Sequence, residues 1–146
     1  MTMLSEFFPA LSREKAQMLS PLQLAYLGDS VHALLVRTEL IRRDIPVKAM
    51  HQSSNERVSA VSQALELQRI LPYLTQEEAD IARRGRNAHP HHSAPKSASA
   101  GEYAGATGLE ALLGYLYITG QTSRIMELAP YFLLEDNEPC PKPNCT

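Results

Sequence analysis

The chain has 146 residues, of which 44% are hydrophobic and 21% charged, and its formal net charge is −2. This length suits one globular domain, and the composition is ordinary for a soluble protein. No run of eighteen apolar residues is present, which argues against a membrane-spanning helix, and residues 1–11 lack the basic start and apolar core of a signal peptide. We therefore expect a cytoplasmic protein with no membrane partner.

The charge is unevenly distributed along the chain. Residues 135–146 carry three acidic side chains against Lys142, so they supply the net charge of −2 by themselves. Residues 83–96 contain four basic side chains and no acidic one: Arg83, Arg84, Arg86 and Lys96. A local basic segment of this kind suits contact with phosphate, whatever the overall charge.

The first half of the sequence predicts two helices. Ser20-Pro21 is typical of a helix start, and an apolar pattern with helical spacing continues from there to about Arg43. Asp44-Ile45-Pro46 ends this helix. A second helix is predicted over about 47–67, with a polar middle at 52–57 that we interpret as a kink or a solvated turn.

The next helix is predicted to begin at Thr75, because Glu78 follows at capping-box spacing. We expect it to end near Arg84-Gly85, since glycine is common just past a helix end. Residues 85–100 have the composition of a loop, and a loop of this length is usually functional or disordered.

Two further helices complete the prediction of an all-α fold. A strongly apolar helix is expected over about 101–119, and a last helix over about 122–134, capped by Thr122. Four leucines and a tyrosine of the apolar helix are expected in the core and a subunit interface: Leu109, Leu112, Leu113, Leu116 and Tyr117. We predict one domain over 1–136 and a disordered tail over 137–146. The tail holds both cysteines, Cys140 and Cys145.

Two of these helices each place a carboxylate and a glycine inside an otherwise apolar run: Asp29 beside Gly28, and Glu110 with Gly114. An interior glycine costs a helix about 1 kcal/mol relative to alanine, and a carboxylate among apolar side chains is rarely buried without a partner. Helices that cross at these glycines would bring Asp29 and Glu110 together. Paired carboxylates repel unless a cation such as Mg²⁺ lies between them, so the sequence predicts a metal site.

Three motifs in order, at 25–29, 83–88 and 110–117, resemble those of the catalytic domain of the ribonuclease III family, and most closely its short Mini-ribonuclease III branch. The resemblance covers about residues 19–134. It implies a dimeric helical bundle and a Mg²⁺-dependent endoribonuclease that hydrolyses double-stranded RNA to 5′-phosphate and 3′-hydroxyl ends. It also implies that Asp29 and Glu110 are the catalytic residues and metal ligands.

The resemblance further implies a homodimer with two sites, each cutting one strand, and a role in maturation of the large-subunit (23S) ribosomal RNA precursor. Assistance by a ribosomal protein in presenting this substrate is left open. The chain has no room for a separate double-stranded-RNA-binding domain, so we expect its basic segment to contact RNA, through Arg83, Arg84, Arg86, Asn87 and Lys96. Secondary candidates for the same groove are Lys48, His51 and Arg57.

The chain departs from the longer family members at three positions. Where those enzymes carry further carboxylates, it has Leu22, Ala25 and Thr107. This leaves the number of metal ions open and permits an alternative, a non-catalytic dimeric RNA-binding or ribosome-associated protein on the same fold. Retention of Asp29 and Glu110 favours the nuclease. A helical scaffold with no RNA role is a third alternative, but it leaves the basic segment unexplained.

Several residues near the predicted site could have purely structural roles. Glu102 could face the metal, but a glutamate in a first turn usually complements the helix dipole, and we prefer that interpretation. Thr107 could bond a metal water or its own helix. Small neighbours of the carboxylates are expected to leave space for a hydrated metal: Ala25, Ala33, Ala106 and Gly114. The cluster His89, His91 and His92 could bind a transition metal, but its loop offers no rigid geometry, so phosphate contact or no role is preferred.

Overall fold

The computed structural model describes residues 4–88 and 99–133. All regular structure within these two segments is helical, which confirms the predicted all-α class. Their eight α-helices are α1 Leu4–Phe7, α2 Arg13–Gln17, α3 Pro21–Ile41, α4 Val47–Arg57, α5 Ala60–Ile70, α6 Gln76–Asn87, α7 Ala100–Ile118 and α8 Thr122–Phe132. A short 3₁₀ turn, Leu71–Tyr73, lies between α5 and α6.

Helix α7 is the centre of the fold. It packs against α3, α5 and α6, and from Gly105 to Leu116 every residue except Glu110 is buried. A helix that is apolar all round belongs in a core, which is the position the sequence predicts for it. Four of the predicted core residues are completely buried, namely Leu109, Leu112, Leu113 and Leu116, whereas Tyr117 is half-buried.

Helix starts follow local sequence signals. The Ser20 hydroxyl accepts a hydrogen bond from the backbone of Leu22, and Pro21 is the first helical residue of α3. Thr75 and Glu78 form a complete capping box at the start of α6. Both predicted starts are confirmed, because a cap needs only contacts within one turn.

The helix predicted over 47–67 is wrong in its extent. The chain forms two helices, α4 and α5, which separate at Val58 and Ser59, and Ser59 caps α5 through the backbone of Ser62. The polar residues at 52–57 belong to α4, so the interruption follows them.

The predicted end of α6 at Arg84-Gly85 is also wrong, because the helix continues to Asn87. Gly85 lies inside α6 where it packs on α7: a Cβ added there would lie 2.8 Å from the Cβ of Ala111. The glycine therefore serves close helix packing. The cap predicted at Thr122 is wrong too, since Gln121 precedes α8 and its side chain makes no capping hydrogen bond.

Several predictions fall on residues outside the two described segments. They concern the domain boundary at 136, the disordered tail, and the side chains of Lys96, His89, His91, His92, Cys140 and Cys145. Within residues 4–88 and 99–133, no helix has the length and apolar character needed to cross a membrane.

Candidate active site

Helices α3 and α7 cross in backbone contact at two glycines. A Cβ added to Gly28 would lie 1.6 Å from the carbonyl oxygen of Glu110, and one added to Gly114 would lie 1.9 Å from the carbonyl oxygen of Leu24. No side chain fits at either position without separating the helices. The predicted crossing is confirmed, and it places the backbone of Glu110 against the turn of α3 that carries Asp29.

The two carboxylates at the crossing interact electrostatically. Glu110 is the one residue of the central turns of α7 that is not fully buried, and Asp29 is exposed. Burial, and secondly the negative charge of Asp29, raise the pKa of Glu110 to about 8. A cation placed between Glu110 and Asp29 would stabilise the ionised form of Glu110.

These two carboxylates suit a hydrated Mg²⁺ ion rather than a closed metal cage. Across residues 4–88 and 99–133, no cluster of three or more His, Cys, Asp or Glu side chains could hold a metal. Mg²⁺ commonly keeps several waters and takes only one or two protein carboxylates, with substrate phosphate supplying further oxygens. Asp29 and Glu110 would hold the ion, and the exposure of Asp29 leaves one side open to a substrate.

The small residues around the carboxylates have different roles from those predicted. The α3 backbone occupies the space that a side chain at Gly114 would need. Ala25 and Ala106 are both buried between helices. The expectation that these three provide space for a hydrated metal is therefore wrong. Glu102 lies in the first turn of α7, where it can complement the helix dipole, and it completes a capping box with Ser99.

Thr107 likewise makes a hydrogen bond within its own helix. Its hydroxyl donates to the carbonyl oxygen of Tyr103 at 3.0 Å, and the residue is almost fully buried. This is the simpler of the two roles considered for it.

Sequence reasoning missed Gln63 at this site. Its side chain is completely buried on α5, which packs on α7, and its hydrogen bond to Glu110 lowers the pKa of that carboxyl against the stronger effects of burial and Asp29. The signal was present, because Gln63 occupies the same helical face as the buried Leu67 and Ile70. A polar residue on a buried face needs a specific partner.

A second buried polar pair lies between α3 and α5. His32 Nε2 and Glu66 Oε2 are 2.6 Å apart, and both side chains are almost completely buried. His32 also stacks on Phe132 of α8, with ring centroids 6.3 Å apart. The sequence does not predict this pair, because the two residues lie on different helices and no local pattern relates them.

The predicted RNA-contacting residues of α6 separate into two groups. Arg83, Arg86 and Asn87 are exposed at the end of the helix, and Arg83 makes an ion pair of 3.4 Å with Asp80. Arg84 is half-buried, and its guanidinium donates to the carbonyl oxygens of Gln17 and Leu19 at 3.0 and 3.4 Å. Arg84 thus holds the chain between α2 and α3 against α6.

The secondary candidates for RNA contact differ in the same way. Lys48 and His51 are exposed on α4. The Arg57 guanidinium donates to Glu39 Oε2 of α3 at 2.6 Å, and Arg43, just after α3, bonds the same carboxylate. Arg57 therefore ties α4 to α3.

The class of protein follows from this fold and from its match to a known domain. The ribonuclease III domain matches residues 22–121, which include nearly all of α3 and the whole of α4 to α7. Both carboxylates of the helix crossing lie inside the match. The chain is thus an all-α endoribonuclease domain.

Curated relatives identify the branch. Mini-ribonuclease 3 of Symbiobacterium thermophilum is 48% identical over 111 residues, which cover 75% of this chain and 85% of the relative. Mini-ribonuclease 3 of a Thermoanaerobacter species is 41% identical over 119 residues, covering 81% of this chain and 83% of the relative. The chain belongs to the ribonuclease III family, in its Mini-ribonuclease 3 branch.

A solved structure supports the fold. A protein of Fusobacterium nucleatum is similar with a TM-score of 0.69 and 28% sequence identity, covering 77% of this chain and 89% of that one. Together, these comparisons confirm the predicted family and enzyme class. They favour the nuclease over both alternatives, the non-catalytic RNA-binding protein and the scaffold.

Proposed function

We propose that this endoribonuclease hydrolyses double-stranded RNA with Mg²⁺ as cofactor, acts in the cytoplasm, and takes part in maturation of the large-subunit (23S) ribosomal RNA precursor. The observation that carries the proposal is the glycine crossing of α3 and α7, which pairs Asp29 with the partly buried Glu110. A repulsive pair of acids beside a close backbone contact would be a costly arrangement for stability alone. It is useful where a cation and a phosphate must be bound.

Asp29 and Glu110 would bind the metal ion. Each presents carboxylate oxygens, which are the ligands that Mg²⁺ prefers. When bound, Mg²⁺ supplies an activated water at neutral pH and offsets negative charge on the phosphate in the transition state. No side-chain nucleophile is needed, and the exposed Asp29 side of the pair would receive the scissile phosphate.

The RNA backbone would be gripped by the basic end of α6. Arg83, Arg86 and Asn87 are exposed there, and Lys96 follows in the sequence. Double-stranded RNA presents phosphates and 2′-hydroxyls across a shallow minor groove, so Arg, Lys and amide groups suit contact with its shape. We assign Arg84 a supporting role within this surface, since two backbone carbonyls already bind its guanidinium.

The working unit would be a homodimer formed through the outer face of α3. Three large apolar side chains are exposed on this face: Tyr26 at 85%, Leu34 at 66% and Ile41 at 68%. At 3.6 residues per turn they lie within an arc of roughly 80°, and Asp29 lies roughly 60° beyond Tyr26, on the side away from Leu34 and Ile41. A second copy packed on this face would bring its own carboxylates near, so that each site could cut one strand.

The direct test is cleavage of a long double-stranded RNA by the wild type and by Asp29→Asn, with Mg²⁺ present or chelated. We expect metal-dependent cutting by the wild type and none by Asp29→Asn, with duplex binding retained. Glu102→Gln is the matched control, because glutamine also satisfies a capping box, and it should cut like the wild type. A wild type that binds the duplex and never cuts it would overturn the proposal for this substrate.

A further inference from the structure

Gln63 is a fully buried amide on α5, the helix that packs on α7, and its side chain lowers the pKa of Glu110. The side chain is 0% exposed, and its Nε2 donates to the carbonyl oxygen of Val58 at 3.2 Å. Among the described residues, its Oε1 has no hydrogen-bond partner. The amide is therefore held by its nitrogen, at the break between α4 and α5.

The second N–H of this amide is available to Glu110. An amide nitrogen carries two donors, and the bond to Val58 uses one of them. The hydrogen bond between Gln63 and Glu110 favours the ionised carboxylate, as a bond from an N–H donor does. The bond to the Val58 carbonyl fixes the position of this nitrogen.

The chemical type of the side chain suits this position. A lysine or arginine would bind Glu110 as an ion pair and compete with a metal cation for the carboxylate. A third carboxylate would add repulsion to the pair that Asp29 and Glu110 already form. A neutral amide orients the carboxylate and leaves its charge for the cation.

We propose that Gln63 is a positioning residue for Glu110: its buried amide holds the carboxylate in the orientation that binds the metal together with Asp29. The inference rests on the proposed metal-dependent function. Hydrogen-bond partners of metal-binding carboxylates commonly contribute ten- to a hundredfold to metal affinity.

The test is direct binding of Mn²⁺, as a probe for Mg²⁺, measured by titration calorimetry on the RNA-free protein, with Gln63→Met as the variant. Methionine has a similar length and no N–H donor. We expect Mn²⁺ binding weaker by about ten- to a hundredfold, and a higher metal concentration for half-maximal cleavage in the same proportion. Thermal unfolding in chelator shows whether the variant is folded.

Two controls make the result specific. Gln68→Met makes the same substitution at an exposed position of α5, and it should bind Mn²⁺ like the wild type. If Gln63→Met does not fold, Gln63→Asn decides instead, because it keeps an amide one methylene too short to reach both partners.

The outcomes separate the two proposals. If Asp29→Asn loses Mn²⁺ binding while folded Gln63→Met or Gln63→Asn keeps wild-type affinity, the positioning role is wrong and the metal site stands. If Asp29→Asn binds Mn²⁺ as well as the wild type does, the proposed metal site fails and the role of Gln63 fails with it.

Discussion

Glu110 is the residue at which burial and repulsion act together, and its raised pKa predicts how stability depends on pH. The unfolded chain releases the proton near the ordinary pKa of 4.5, whereas the folded protein keeps it until about pH 8. Between these values the folded state binds more protons. The free energy of unfolding of the metal-free protein should therefore decrease as pH rises from about 5 to about 8.

Urea unfolding in chelator at several pH values measures this decrease, and Glu110→Gln should flatten it because the side chain no longer titrates. Glu102→Gln is the matched control on the same helix and should leave the slope unchanged. Mg²⁺ should bind more tightly as pH rises through the same range, since it competes with the proton. Equal slopes for the wild type and Glu110→Gln would show that burial of Glu110 does not affect its ionisation.

Gly28 is the second residue with a sharp prediction. A methyl group there would overlap the backbone of Glu110, which cannot move aside as a flexible side chain could. We expect Gly28→Ala to lower the free energy of unfolding by at least about 3 kcal/mol. Gly101→Ala is the control, because no atom lies within 4 Å of the added Cβ, and it should change stability by less than about 1 kcal/mol. Chemical denaturation of both variants decides the comparison.

At the scale of elements, the buried His32–Glu66 pair is a direct contact between α3 and α5. Replacing either residue alone by an apolar one leaves a buried polar partner, which should cost about 3 kcal/mol or more. The double variant His32→Phe with Glu66→Leu should cost less than the two single variants added together. A double-mutant cycle by urea unfolding measures this coupling, and simple additivity would mean that the pair does not stabilise the contact.

Helix α6 offers a matched pair of arginines with separate roles. Arg86→Ala should weaken binding to double-stranded RNA and reduce its salt dependence by about one unit of slope, because one phosphate contact is lost. Arg84→Ala should mainly lower the melting temperature, since it removes two hydrogen bonds to backbone carbonyls. Binding titrations at several salt concentrations, together with thermal unfolding, test both. Wild-type binding by Arg86→Ala at every salt concentration would remove this residue from the RNA surface.

At the scale of the whole molecule, the exposed face of α3 predicts the oligomeric state. The wild type should have twice the chain mass of 16.2 kDa in light scattering after gel filtration. Tyr26→Glu combined with Leu34→Glu should give the single-chain mass with unchanged helical content. Met18→Glu replaces an equally exposed apolar residue outside α3 and should leave the dimer intact. A dimeric double variant would place the subunit interface elsewhere.

Much of the fold was predictable because its signals are local. The starts of α3 and α6 follow from Ser20 and Thr75, whose capping contacts stay within one turn. The pairing of Gly28 with Gly114 was also predictable, since a glycine inside an apolar helix lowers its stability unless the missing side chain lets another helix approach closely. The sequence by itself therefore determined the helical class and the crossing at which Asp29 and Glu110 interact.

The remaining features were decided only by the tertiary structure. Local sequence predicts that a helix ends at Gly85. In the structure this glycine lies inside α6, because it packs against α7. The contacts of Gln63 with Glu110 and of His32 with Glu66 join residues far apart in sequence. The sequence does not distinguish Arg84 from the other arginines of the basic segment, because its carbonyl acceptors are known only from the fold. Local sequence determines the helical class and the capped starts of α3 and α6, because capping and periodicity act within a turn. Packing determines which polar groups meet, because burial makes each of them require a partner that only the fold supplies.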